Sequence, residues 1–417
     1  MRLQDKVVLR FSADQQQALH LIAQLSAETN TTTYLVGGIV RDLLLNQPLN
    51  DLDIAMVGDA IWFATQLHQQ HGGELITHRQ FNTATWTPAA LQVGSIDIIT
   101  ARSETYAAPA ALPTVTAGSM RDDLWRRDFT INTLAMRLDR EAYGTLVDLF
   151  DGSADLHAGV IRILHPRSFI DDPTRSFRAI RYAKRLDFTL EPNTLTALTS
   201  HIDYIHLLTP ARIRHELKHI LREPNHLAML QALSELGILT AVHPALKWRP
   251  AWGKTFRHLA TSPFAEQVEA TLLLWLSHLA YEAQLAILAR LGMSRKVIDS
   301  AEAIHNIQHK LTALAPTAPP SHIERTLRPF VKQPLARWIA SIRQINTHLG
   351  RWLTMYETTW RHVKPTLNGN DLRALGLKPG PQFRTILDQL RAARIDGNVH
   401  TRNDERAFLA SILNQGV

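Results

Sequence analysis

Two aspartates one residue apart, Asp51 and Asp53, follow a Gly37-Gly38 pair and Arg41 in the run YLVGGIVRDLLLNQPLNDLDI. Neighbouring carboxylates repel each other unless a cation lies between them, and hard oxygen ligands suit Mg²⁺. Glycine has no Cβ, so a Gly-Gly turn lets backbone N–H groups approach an anion closely. Arg41 falls on the first turn of the helix expected after that turn, where the helix dipole also favours negative charge. Leu52-Asp53-Ile54 has strand character, and alternation along a strand sends Asp51 and Asp53 to the same face. Each feature alone is commonplace, a turn or a solvated strand end. Together, a phosphate cradle beside a pair of metal ligands points to nucleotidyl transfer.

These groups need a scaffold, and the flanking sequence provides one. Ser12 and Gln15 read as a capping box that opens a helix running to about Glu28. Strands at Tyr34–Val36, at Asp51–Asp53 and in SIDIIT (Ser95–Thr100) alternate with helical stretches, giving a mixed α/β head to about residue 150. SIDIIT sets Asp97 between isoleucines, so its carboxylate faces either solvent or a cation. The Ala/Pro/Thr-rich stretch Ala101–Met120 reads as a mobile loop. Beyond it, Arg126, Arg127 and Asp128 precede an expected helix with a buried stripe of Phe129, Ile131, Leu134, Ala135 and Leu138. After Leu164 strand signals nearly vanish, and helical periodicity dominates from Pro173. Asp171 or Asp172 is placed to cap a helix there, with Pro173 at its first position. Arg175, Arg178, Arg181 and Arg185 share one face of that helix, and Phe177, Ile180 and Ala183 take another. Thr312–Ser321 is the best linker candidate. Leu367–Gly397 reads as a helix–turn–helix whose Gly376 and Gly380 expose backbone to a phosphate chain.

Composition narrows the classes. The length of 417 residues predicts about three domains. No cysteine is present, which excludes disulfides, thiol catalysis and Cys-based zinc sites and fits a cytoplasmic protein. No apolar run reaches the roughly 18 residues of a membrane span, so a membrane partner is not expected. The net charge of +7 and a pI near 9.7 favour an acidic polymer as partner. A GxxxxGKS loop is absent, and the twenty histidines show no ligand spacing with carboxylates.

The combination of GGIVRD with DLD resembles the polymerase-β-like nucleotidyltransferases, and in particular the class II tRNA nucleotidyltransferase and bacterial poly(A) polymerase group. The resemblance runs from about residue 30 to 400 and is weakest between 230 and 360. It implies a catalytic Mg²⁺ site on Asp51 and Asp53, with Asp97 as a third acid. RRDFTINTLAM resembles the second signature of that family and implies that Arg127, Asp128 and Asn132 line the nucleotide pocket, beside Gly37, Gly38 and Arg41. Asp148–Leu164 resembles its third segment, a strand and turn joining head to neck, with acids of structural rather than catalytic role. FIDDPTRSFRAIRYAKRL resembles its fourth motif, in which an acid and an arginine three residues later read the incoming base. That assigns base reading to Asp172 and Arg175, and adds Arg178 to the nucleotide-binding set. The chemistry is sound, because cytosine and adenine both present an amino donor beside a ring-nitrogen acceptor, whereas uracil and guanine reverse the pattern. ARIRHELKHIL resembles a further family element, where Arg212, Arg214, Lys218 and the histidines either meet RNA phosphates or form a wet helix face.

The implied fold is α+β, a polymerase-β-like head (1–150) with a mixed sheet followed by an all-helical neck (151–225), body (226–320) and tail (321–417). The implied activity is template-independent addition of CCA to the 3′ end of tRNA, with CTP and ATP as substrates and the acceptor arm of tRNA as partner. A-adding or CC-adding enzymes are the nearest alternatives. Family members restricted to CC lack the loop before the RRD motif, which this chain has. A poly(A) polymerase fits less well, since INTLAMRL is closer to the tRNA enzymes. An inactive RNA-binding protein is opposed by the intact Asp51, Asp53 and Asp172.

Overall fold

The computed structural model describes residues 3–49, 51–139, 142–259 and 268–414. The chain divides into two compact units, Met1–Val242 and His243–Val417. The first unit is built on a seven-stranded sheet. Its strands are β1 (Thr33–Val36), β2 (Leu52–Met56), β3 (Glu74–His78), β4 (Thr83–Thr87) and β5 (Ile96–Thr100), with two more described below. Leu52, Ile54, Ile96 and Ile98 are buried, and the acids that alternate with them point away from that core. A helix at Ala60–His71 covers β3 to β5 and buries Phe63, Ala64 and Leu67 against them. Asp59 caps it by accepting hydrogen bonds from the N–H groups of Ile61 and Trp62, both at 3.0 Å. The helix Ala13–Glu28, which follows a first helix at Leu3–Arg10, starts at Ser12 with the full capping box to Gln15, as expected from the sequence.

Two expectations fail here. The segment Ala101–Met120 is not a loop: β6 (Arg102–Thr105) and β7 (Thr114–Ala117) pair as an antiparallel hairpin, and a helix begins at Met120. Thr114, Val115 and Thr116 are β-branched, and both prolines of the stretch fall between the strands, where no ladder N–H is lost. The helix expected after Arg126-Arg127-Asp128 is also absent. Thr130–Asn132 makes a single 3₁₀ turn, and β8 (Ala135–Arg137) follows. Asp128 starts that turn by accepting from the N–H of Phe129 and the Nδ2 of Asn132, both at 2.9 Å. The five apolar residues are buried as expected, but sheet pairing, not helical packing, buries the later ones.

With β9 (Leu146–Val147) the sheet order is β3-β4-β5-β2-β1-β8-β9. Only β2 and β5 run parallel, in a register that sets Asp53 beside Asp97; the other neighbours are antiparallel. The segment Asp148–Leu164, expected as a strand and turn, holds a short strand at Val160–Ile161 but also a helix at Gly152–Ala158 that was not expected. Asp148 nucleates it, accepting from Gly152 N at 2.8 Å and Ser153 N at 2.9 Å. Asp155 takes Thr130 Oγ1 at 2.6 Å, so these acids hold structure. The rest of the unit is helical apart from a two-residue parallel pairing of Val160–Ile161 with Thr189–Leu190. Its main helices are Arg175–Leu186 and Pro210–Arg222, the latter capped by Thr209.

The second unit is helical throughout its described residues. Residues 313–319 are the turn between its helices Arg295–Thr312 and Pro320–Leu327. Near the end, Gly369–Ala374 and Pro381–Ile395 form the expected helix–turn–helix, with Gly376 at φ +83° in the turn. Leu367, Leu372, Ile386, Leu390 and Leu409 form its core.

Candidate active site

The acidic edge lies where β2 and β5 run side by side. Asp53 and Asp97 are register partners, and Asp51 is exposed one residue before β2 begins. Thr85 Oγ1 donates to Asp97 Oδ1 at 2.7 Å, which fixes one oxygen of that side chain. Burial, with the neighbouring charges of Asp97 and Asp51, raises Asp53 to about 6, although Arg127 pulls the other way. Among the described residues no group of three or more His, Cys, Asp or Glu side chains converges as a metal site. The three carboxylates still supply hard oxygen donors at adjacent positions, and the strain on Asp53 is of the kind a divalent cation relieves. The donor set therefore fits Mg²⁺.

The Gly-Gly turn works differently from the simple cradle expected. Gly37 sits at φ +77°, and its N–H donates to Leu134 O at 3.1 Å, so that group is not turned to an anion. What its lack of a side chain permits is the approach of Arg127: a Cβ would lie 2.6 Å from Arg127 Nη1. Arg127 is held by Asp123 Oδ2 at 3.0 Å and by the Asn132 carbonyl at 3.3 Å, while its buried Nε has no partner. Asp123, fully buried, also binds Arg126 at 2.6 Å. Burial pushes its pKa up, but the two arginines outweigh it and bring it below the usual range.

A second chain of polar contacts starts at Arg41. Buried in the helix Gly38–Leu44, it donates to Asn132 Oδ1 at 2.5 Å and to Asp42 at 2.8 Å, and its guanidinium lies 5.1 Å from the centre of the Tyr182 ring. Asn132 donates in turn to Asp128, whose other oxygen accepts from Arg178 Nε at 2.7 Å. Burial opposes the charge on Asp128, but Arg178, Asn132 and Arg175 together carry it down to about 2. Asp128 is thus a firmly ionised anchor that orients Arg178 and Asn132.

The helix expected at Pro173 begins at Arg175, because the N–H groups of Arg175 and Ser176 bond back to the carbonyls of Asp172 and Pro173. Asp172 Oδ1 accepts from Thr174 N at 3.0 Å and from Thr174 Oγ1 at 2.5 Å. Asp171 ends the preceding short helix and pairs with Arg167 at 3.3 Å. Arg175 is buried, donating from Nη1 to Ser168 Oγ and from Nη2 to the Arg126 carbonyl, both at 2.7 Å. Among the described residues, neither its Nε nor Asp172 Oδ2 has a protein partner, which leaves a donor and an acceptor free.

A cavity of about 800 Å³ gathers most of these groups. Asp53, Arg127, Asp128, Asn132, Asp172, Arg175 and Arg178 line it, with Gly38 at its edge. Gly37, Arg41, Asp51 and Asp97 lie outside its wall: Gly37 and Arg41 support wall residues, and Asp97 flanks Asp53. Reading the sequence missed Glu104, Tyr106 and Glu216, which also line it, and the internal role of Arg212. The spacing of Asp123 to Arg126 and Arg127, three and four residues on a helix, was available in the sequence. The pairings of Asp128 with Arg178 and of Asp172 with Arg212 span 50 and 40 residues and left no such signal. Chemically, the cavity offers cationic guanidinium groups on the Arg127 side, a free donor and acceptor at Asp172 and Arg175, and a carboxylate at Asp53.

Residues 33–162 match the family described as "Poly A polymerase head domain", and residues 187–248 match "Probable RNA and SrmB- binding site of polymerase A". An A-adding tRNA nucleotidyltransferase of Halalkalibacterium halodurans is 32% identical, over 96% of this chain and 93% of that protein. A Geobacter sulfurreducens protein of the same name is 34% identical over 92% of this chain, which spans only 45% of its length. The structure of the Thermotoga maritima CCA-adding enzyme complexed with tRNA-CCA superposes with a TM-score of 0.79 at 27% identity, covering 99% of each chain.

Proposed function

Because the chain belongs to the class II tRNA nucleotidyltransferase and bacterial poly(A) polymerase family, we propose that it completes the 3′ CCA end of tRNA from CTP and ATP, releasing pyrophosphate. The observation that carries this reading is the single cavity holding Asp53, the arginines around Asp128, and the free groups of Asp172 and Arg175. In the reaction the primer 3′-oxygen bonds to the α-phosphorus while the bond to the β-phosphate oxygen breaks. The hydroxyl proton passes to solvent water, and pyrophosphate leaves with the electron pair of the broken bond.

Asp51 and Asp53, with Asp97 beside them, would hold Mg²⁺. When bound, the ion supplies Lewis-acid charge that acidifies the hydroxyl and screens the pyrophosphate. Arg127 offers its positive charge to the triphosphate, and Asp128 keeps Arg178 and Asn132 oriented toward triphosphate and ribose. Asp172 accepts from the exocyclic amino group, and Arg175 donates to the ring nitrogen. A base of the opposite pattern leaves both groups buried and unpartnered, and is rejected. The same pair accepts C and A, so the protein itself stands in for a template. The helical second unit, with its exposed Gly376–Gly380 turn, is the natural place for the acceptor arm, and such binding weakens with salt. Among the described residues no helix is long and apolar enough to cross a membrane, and a cytoplasmic site of action fits the substrate.

A second reading, addition of the terminal A alone, is favoured by the names of the Halalkalibacterium and Geobacter relatives. One experiment separates the two. Purified protein receives tRNAs ending at the discriminator base, at C and at CC, with CTP and ATP supplied singly and together, and products are sized on a gel. Full addition extends all three to CCA. Extension of the CC-ending tRNA alone establishes the second reading, and no extension of any overturns both.

A further inference from the structure

Arg212 belongs to the helix Pro210–Arg222, where a basic residue would ordinarily be assigned to solvent or to RNA. Its guanidinium is instead turned inward, with 23% of the side chain exposed. Nη2 donates to Asp172 Oδ1 at 2.5 Å, and Nη1 donates to the Ala110 carbonyl at 2.8 Å. Ala110 lies in the connection of the β6–β7 hairpin and takes φ +58°, a left-handed conformation unusual for a side chain with a Cβ. Its N–H donates to the Ile170 carbonyl at 3.1 Å, two residues before Asp172. The hairpin connection therefore grips the base-reading segment twice, once through backbone at Ile170 and once through Arg212 at Asp172.

The consequence falls on one carboxylate. Asp172 Oδ1 carries three donors, from Thr174 N, Thr174 Oγ1 and Arg212 Nη2. That load fixes which oxygen faces inward and leaves Oδ2 as the acceptor open to a ligand. Without Arg212 only the two local contacts of Thr174 remain, and the carboxylate loses its one long-range tether. A planar guanidinium is suited to this, since it bonds two acceptors in fixed directions where an ammonium acts as a point charge.

We propose that Arg212 is a positioning residue for base selection: it ties the hairpin connection at Ala110 to Asp172 and so presents Asp172 Oδ2 to the amino group of the incoming nucleotide. This rests on the reading of Asp172 and Arg175 as the pair that recognises the base. It assigns Arg212 to contacts within the protein rather than to RNA phosphate, since each of its terminal nitrogens already bonds an internal acceptor.

The test compares Arg212→Ala, Arg212→Lys and Arg175→Ala with the parent protein. Each is checked for folding by thermal melting, then assayed for kcat/KM with CTP, ATP, UTP and GTP on a tRNA primer. tRNA affinity is measured across a salt series. Arg212→Ala is expected to lower the preference for CTP and ATP over UTP and GTP by about tenfold, mainly through a higher KM for the correct nucleotides. The salt slope of tRNA binding is expected to stay that of the parent. Arg212→Lys, which folds with the charge retained, is expected to recover only part of the preference. An unchanged preference in both Arg212 variants overturns the inference. So does a salt slope shallower by about one unit, the mark of a lost phosphate contact. If Arg175→Ala also leaves the preference intact, the base-reading assignment itself has failed; if Arg175→Ala alone relaxes it, only the role of Arg212 is lost.

Discussion

Replacing Asp53 with asparagine should make the metal-free protein more stable while removing its activity. Asp53 titrates near 6 in the fold against 3.8 for a free side chain, through burial first and then the charges of Asp97 and Asp51. For a carboxyl raised in this way, the favourable contribution of the neutral form is complete below 3.8 and is lost as pH rises through about 6. At pH 7.5 the ionised group is therefore destabilising. A rise from 3.8 to about 6 corresponds to about 3 kcal/mol as an upper limit, and screening at the half-buried edge reduces it to about 1–2 kcal/mol. Asparagine is nearly isosteric and uncharged, so Asp53→Asn should gain that amount at pH 7.5 with a chelator present. The gain should shrink as pH falls through 6 and disappear near 4. Urea denaturation at pH 7.5, 6 and 4.5 measures it, and magnesium should stabilise the parent protein but not the variant. A variant equal to or less stable than its parent at pH 7.5 would refute the claim that like charges crowd this strand edge.

Further expectations follow from single contacts. Gly37→Ala places a Cβ 2.6 Å from Arg127 Nη1 at a positive φ, so it should cost about 1–2 kcal/mol in urea denaturation and raise the KM for nucleotide. Arg178→Ala strands the buried Asp128 carboxylate and should cost about 2–4 kcal/mol near neutral pH, the lower end reflecting the partial exposure of the arginine. Because Asp128 is depressed to about 2 from 3.8, the stability it contributes is present above 3.8 and lost as pH falls through 2. A parent-to-variant gap that does not narrow in acid would count against the pair. Arg175→Ala should relax discrimination against UTP and GTP in single-nucleotide incorporation, and an unchanged ratio removes it from base recognition.

Where local physics decides the conformation, the sequence was readable. The Ser12 box, the alternation of Leu52, Asp53 and Ile54, and the apolar face of the helix Arg175–Leu186 all appear where the residues placed them. Phe129 to Leu138 misled because its spacings satisfy a helical stripe as well as a turn and a short strand. Only β1, lying open to pair with β8, decides between them. The β6–β7 hairpin was missed for a related reason: its strands lie at the surface and are largely polar, so no apolar alternation marks them. Within the site, the acids, arginines and glycines could be named from their motifs. Their divisions of labour could not, since Gly37 makes room for Arg127 and Arg212 orients Asp172 only through contacts made by folding.

The central claim is that Asp53, beside Asp51 and Asp97, is the metal-dependent centre of nucleotide transfer to a tRNA 3′ end. Its most direct test is rapid-quench incorporation by Asp53→Ala with magnesium, alongside tRNA affinity measured on the same preparation. Turnover is expected to fall to background while tRNA binds as tightly as to the parent protein. Turnover retained in the variant would contradict it.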